Sequence, residues 1–162
     1  MSVVVLAESA AATRAVGKQL AAALRAGDLL ILTGDLGAGK TTFTQGLGAG
    51  LRVRGDITSP TFVIARVHPS LVAGPALVHV DAYRIGGIAE LDDLDLDTSF
   101  DDAVTVVEWG AGLAEPLSET RLEVTILRSH GDAALEDSGE RQLRFVPVGA
   151  RWSDPALAEA LA

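Results

Sequence analysis

The chain has no cysteine. That excludes disulfides, thiolate zinc centres and thiol nucleophiles, and makes the cytoplasm the expected compartment. No apolar run approaches the ~20 residues that a membrane span requires. The opening segment, Met1-Ser2-Val3-Val4-Val5, has no basic region, so a secretory leader is not expected. Lysine is nearly missing: Lys18 and Lys40 are the only two among 13 Lys and Arg residues. No basic residue falls between Arg84 and Arg121, a stretch with ten acids, and the formal net charge is −9. A protein that grips nucleic acid unaided carries a basic face to neutralise phosphates. Any nucleic-acid role is therefore expected to run through a partner, and the acids read first as a solubilising surface.

What is present suits a single domain over residues 1–162, with 48% hydrophobic residues to build a core and no repeat, low-complexity segment or linker. Residues 3–7 form a β-branched run, a first strand. Ser9 is placed to cap a helix running to about Arg25, with Gly27 to end it. Leu29 to Leu32 is short and wholly apolar, as in strands buried on both faces of a parallel sheet. A glycine-rich loop follows, then a helix to about Ala49, which Gly46, Gly48 and Gly50 are expected to loosen and end. Thr61–Val67 and Ala76–Val80 read as a hairpin around Pro69, Gly74 and Pro75. Ile88 to Asp102 reads as short helical turns, and Val104 to Val107 as another apolar strand. Arg121–Leu127 and Gln142–Val148 alternate, suggesting an antiparallel pair around a loop at 131–139, and 154–161 a short terminal helix. This order predicts an α/β phosphate-loop (P-loop) NTPase fold: a mixed, mostly parallel central sheet flanked by helices.

The strongest chemical signal is Gly34-Asp35-Leu36-Gly37-Ala38-Gly39-Lys40-Thr41, which fits the Walker A pattern Gly-x-x-x-x-Gly-Lys-Ser/Thr. Its glycines let backbone N–H groups turn inward on phosphates, and the helix that starts there adds a partial positive charge. Lys40 reaches the β- and γ-phosphates, and the Thr41 hydroxyl takes one magnesium position. Magnesium then needs a second protein oxygen at the end of a neighbouring apolar strand. Asp81 and Glu108 both qualify, and either could instead cap a turn. Thr58-Ser59-Pro60-Thr61-Phe62 could act as a γ-phosphate switch, although local chemistry alone favours an ordinary proline turn. His79 reads as a satisfied core histidine, and His68 and His130 show no metal-ligand spacing. Trp109 is either core or a wall of the nucleotide pocket. No Gly-x-Ser-x-Gly elbow is present. The chain also lacks asparagine, so the Asn-Lys-x-Asp box that selects guanine cannot exist, which moves the expected nucleotide from GTP to ATP.

Four segments together resemble the TsaE (YjeE) family: Gly34 to Thr42, Thr58 to Phe62, His79-Val80-Asp81-Ala82-Tyr83-Arg84, and Val107-Glu108-Trp109. They cover roughly residues 9–128 in order. The resemblance implies a bacterial ATPase of tRNA threonylcarbamoyladenosine synthesis. It implies work with TsaB and TsaD, which modify adenosine 37 of tRNAs reading ANN codons, with ATP and magnesium as cofactors. By the same resemblance Glu108 is the metal acid beside Thr41, and Asp81 and Arg84 lie on the γ-phosphate side. Thr58 and Thr61 belong to the switch-like loop, Trp109 matters for activity, and Gly37, Ala38, Gly39, Lys40, Thr41 and Thr42 hold the nucleotide. The catalytic set it implies is Lys40, Asp81, Arg84 and Glu108. Many members carry a further acid after the Glu-Trp pair, where this chain reads Gly110-Ala111-Gly112. In residues 131–162 no motif of the family is recognised. A small-molecule kinase is the runner-up, but such enzymes close an arginine-bearing lid, and the stretch after Arg84 has none. A regulator in which ATP only sets a conformation is a third reading.

Overall fold

A computed structural model describes residues 2–35, 37–57, 65–81, 100–108, 120–128, 139–152 and 156–161. Seven strands form one sheet: β1 (Val3–Ala7), β2 (Leu29–Thr33), β3 (Ala65–His68), β4 (Ala76–Asp81), β5 (Ala103–Glu108), β6 (Arg121–Arg128) and β7 (Arg141–Val148). Three α-helices are described with them: α1 (Ala10–Ala21), α2 (Lys40–Leu51) and α3 (Ala156–Ala160). The spatial order is β1-β7-β6-β2-β5-β4-β3. The four central strands β6, β2, β5 and β4 are parallel. On one side β7 and β1 are antiparallel additions, and on the other β3 is. The result is the expected mixed α/β sheet with a mostly parallel centre.

Burial follows the sequence pattern. Leu29 to Leu32 and all six residues of β5 are buried, as a parallel strand flanked on both sides requires. β6 alternates, with Leu122, Val124 and Ile126 buried. Leu30, Leu32, Leu77, Val106 and Val124 pack with Leu20, Phe43 and Leu47 of the helices into one core. Each such side chain contributes roughly 1.5–3 kcal/mol. Phe43 meets Phe145 of β7 at a centroid distance of 6.0 Å, tying α2 to the antiparallel flank.

Helix α1 begins where expected: the Ser9 hydroxyl accepts the Ala12 N–H at 3.0 Å. It ends at Ala21, short of Arg25, because other partners claim its last turn. The N–H groups of Ala23 and Leu24 bond back only three residues, and the Arg25 N–H donates to Asp28 Oδ2 at 2.8 Å. Arg151 donates to both Asp28 oxygens at 3.0 Å and to Ala23 O at 2.6 Å. That fork anchors a 3₁₀ turn at Ala150–Trp152, which the sequence did not announce and which buries Trp152.

The expectation for α2 needs correction. The helix runs through Gly46, Gly48 and Gly50 to Leu51, and Arg52 ends it with φ 57°. The reason is close approach. A Cβ at Gly46 would strike the Arg14 carbonyl of α1, one at Gly17 the Phe43 carbonyl, and one at Gly50 the Ala21 side chain. The helical cost of glycine, up to ~1 kcal/mol each, is offset by backbone-to-backbone packing.

The β3–β4 hairpin forms as expected, its link held by Ser70 Oγ accepting the N–H groups of Val72 and Gly74. Residues 61–64 of the first expected strand lie outside the described residues. So do 88–99 of the expected helical turns, whose last residues, Phe100–Asp102, form a 3₁₀ turn before β5.

Candidate functional site

The site gathers at the carboxyl ends of the parallel strands, where β2 breaks into the glycine loop. Gly37 and Gly39 have φ of 78° and 111°, conformations that a side chain would strain. Gly39 is the N-cap of α2, and no side chain caps this helix start. The first helical bond runs from the Phe43 N–H to Gly39 O at 2.9 Å. The N–H groups of Lys40, Thr41 and Thr42 therefore precede the helical ladder, at the positive end of the helix dipole. Thr41 and Thr42 are half-buried there.

Lys40 is only 7% exposed. Its Nζ donates to Gly34 O at 2.6 Å and to Asp35 O at 3.0 Å, folding over the loop that it follows. Burial pulls the ammonium below its ordinary pKa, while the carboxylates of Glu108, Asp35 and Asp81 oppose that pull. The one buried lysine thus faces a cluster of acids, in keeping with its singling-out in the sequence.

Strand register explains the cluster. Asp81 at the end of β4 pairs with Glu108 at the end of β5, and Glu108 pairs with Leu32 near the end of β2. Sequence left open which acid serves the site; the sheet places both there, each 4% exposed. His79 lies two residues before Asp81, hence on the same face of β4. It is fully buried, and its Nε2 is 3.0 Å from Glu108 Oε2. Among the described residues its Nδ1 has no partner. The expectation of a core histidine holds, and that of a satisfied one holds in part: Nε2 meets a site carboxylate, which it orients, while Nδ1 is unmatched among the described residues. The signal for it was the alternate spacing of His79 and Asp81 on a strand heading for the site.

A second residue escaped sequence reading altogether. Arg141, the first residue of β7, donates through Nε to Ala38 O at 2.6 Å and through Nη2 to Gly37 O at 3.3 Å. Arg128, its register partner on β6, lies against Gly37, where a Cβ would collide with its guanidinium. Neither arginine belongs to a local motif. Of the expected site residues, Gly37, Ala38, Gly39, Lys40, Thr41 and Thr42 come together with Asp81 and Glu108. Thr58, Thr61, Arg84 and Trp109 lie outside the described residues.

Fold and site together define a class: a mixed α/β protein with a Gly-x-x-x-x-Gly-Lys-Thr loop at the carboxyl edge of its parallel strands, facing two buried acids. Within that class the chain belongs to the TsaE family, threonylcarbamoyl adenosine biosynthesis protein TsaE, whose model matches residues 7–137. A curated relative, the tRNA threonylcarbamoyladenosine biosynthesis protein TsaE of Streptomyces coelicolor, is 60% identical over 141 residues, covering 86% of this chain and 93% of that one. The protein of the same name from Bacillus subtilis is 40% identical over 141 residues, 86% of this chain and 82% of that one. The crystal structure of YdiB from Bacillus subtilis matches with a TM-score of 0.71 at 34% identity, over 99% of this chain and 94% of that one. The family places the protein in the biosynthesis of threonylcarbamoyladenosine in tRNA.

Proposed function

We propose that this chain binds and hydrolyses ATP with magnesium as the accessory subunit that acts with TsaB and TsaD in the modification of adenosine 37 of tRNA. The observation that carries the reading is the buried Lys40 ammonium, poised over Gly34 O and Asp35 O between a helix start and the paired acids Asp81 and Glu108. A triphosphate is the ligand that this arrangement suits: it takes the Lys40 charge on its β- and γ-phosphates and the N–H groups of Gly39 to Thr42 around it.

The donor set also suits magnesium. Among the described residues no group of three or more His, Asp or Glu could cage a metal. Magnesium is usually held by one or two protein oxygens together with phosphates and water. The Thr41 hydroxyl and the Glu108 carboxylate would hold it, and it would neutralise charge on the transferring group. Asp81 orients water or supports the metal. Arg84 compensates charge on the phosphoryl group, Thr58 and Thr61 sense the γ-phosphate, and Trp109 walls the nucleotide. The compartment is the cytoplasm. Among the described residues no helix is long and apolar enough to cross a membrane.

Steady-state phosphate release, with and without TsaB and TsaD, tests the proposal. Slow hydrolysis alone, a rise with partners, loss of magnesium-dependent turnover in Thr41→Ala and Glu108→Ala, and loss of the rise in Arg84→Ala are expected. Fast hydrolysis by the isolated chain, unchanged by partners, would sink the accessory role, and no ATP binding by calorimetry would sink the nucleotide role.

A further inference from the structure

Arg141 stands beyond residue 137, where the match to the family model ends. It is only 8% exposed. Burying a guanidinium is costly unless its donors are matched. Here three backbone carbonyls receive them: Ala38 O at 2.6 Å, Glu140 O at 2.8 Å and Gly37 O at 3.3 Å. Two of the three belong to the glycine loop.

A peptide unit is planar, with C=O and N–H on opposite sides. Holding Ala38 O toward β7 turns the Gly39 N–H away from β7. β7 lies on one side of β2 in the sheet, and β5 and β4 with their acids lie on the other. The Gly39 N–H is thus aimed toward the side on which Lys40, Glu108 and Asp81 gather. The Ala38 N–H donates to Asp35 O at 2.9 Å, and Arg141 braces that same peptide through Gly37 O. Glycines at φ 78° and 111° supply little restraint of their own, so the loop's shape depends on such outside contacts. A hydrogen bond accepted by a carbonyl also polarises the N–H across the peptide and strengthens it as a donor.

We propose that Arg141 is a positioning residue for nucleotide binding: it clamps the rear of the glycine loop so that the loop's N–H groups are set for phosphates before ligand arrives. The proposal rests on the nucleotide reading above. Arg144, on the same strand, is exposed and pairs with Val4 and Thr125, so it offers a matched loss of charge away from the loop.

The test is calorimetric titration of magnesium-ATP into the wild type, Arg141→Gln, Arg141→Lys and Arg144→Ala, beside the thermal midpoint of each ligand-free protein. Arg141→Gln should weaken ATP binding roughly 10- to 100-fold, the worth of one to two charge-assisted contacts. Arg141→Lys, which keeps the charge but cannot fork across two carbonyls, should recover part of that loss, and Arg144→Ala should bind as the wild type does. Lower midpoints with unchanged affinity in the folded Gln and Lys variants would reduce Arg141 to a structural strut and overturn the proposal. If Arg141→Gln does not fold, wild-type affinity in Arg141→Lys overturns it equally. A wild type that does not bind ATP defeats the nucleotide reading instead.

Discussion

The glycine loop is held from two sides, and the two sides are built differently. In front, Lys40 reaches carbonyls five and six residues back, and Asp81 and Glu108 end neighbouring parallel strands. Behind, the contact from Arg141 to Ala38 spans 103 residues. The support beneath is likewise long-range, with Gly46 of α2 set against the backbone of α1. Chemistry is thus written locally, while the posture of the loop is written by topology. Lesions in front should change what the protein binds, and lesions behind or beneath should change how well it holds its shape.

The largest separation is expected from Lys40→Ala. Charge-assisted hydrogen bonds contribute about 1.5–3 kcal/mol each, so ATP affinity should fall at least ~10- to 100-fold with little change in thermal midpoint. Equal affinity by calorimetry would remove the front of the comparison. Gly46→Val should do the opposite. Its side chain meets backbone of α1, which cannot swing aside, and overpacking of this kind costs about 1–3 kcal/mol or more. Chemical denaturation should show that loss, and a variant as stable as the wild type would mean that the helices separate easily.

His79→Ala belongs to both sides. It leaves the buried Glu108 carboxylate without its ring partner, at a cost of about 1–3 kcal/mol in stability. His79→Gln, whose amide can donate to Glu108, should recover part of it. Equal stability of the Ala variant would show that the pair at 3.0 Å contributes nothing.

The smallest effect is expected at the hairpin flank. His68 is buried on β3, with Nδ1 3.2 Å from Arg54 O and, among the described residues, no partner for Nε2. Burial lowers its pKa below the ordinary 6.5, against the hydrogen bond its ring donates to Arg54 O and with the help of His79 and Arg66. The unfolded chain then binds the extra proton more readily. The contribution is complete above the unfolded pKa and is lost as pH falls below it. Denaturant midpoints measured from about pH 7.5 down to about pH 5 should fall less steeply in His68→Gln than in the wild type. Identical slopes would show that this histidine does not titrate with folding.

Much of this was legible in the sequence because it depended on short-range pattern. Apolar runs marked β2 and β5, alternation marked β6 and β7, and Ser9 marked the start of α1. The loop motif located the site, and acids at strand ends marked its far wall. What escaped depended on who stands next to whom. Gly46 and Gly50 read as breakers because glycine weakens an isolated helix; only a second backbone at contact distance makes them packing residues. Arg25 was lost to α1 because Asp28 and Arg151 took over the last turn. Arg141 carried no motif, and the bond from the core residue His79 to Glu108 emerged only with the strand register.

The glycine contact between α1 and α2 has a mechanical consequence. Helices that meet through interlocked side chains can slide past one another as rotamers exchange. Where Gly17 and Gly46 bring the main chains together, no such soft layer lies between them. Sliding one helix along the other would drive backbone into backbone at Gly17 and Gly46, so this contact resists shear between α1 and α2. On the proposed function, any displacement that nucleotide exchange demands falls first on the loop ahead of the helix and on the groups that face it.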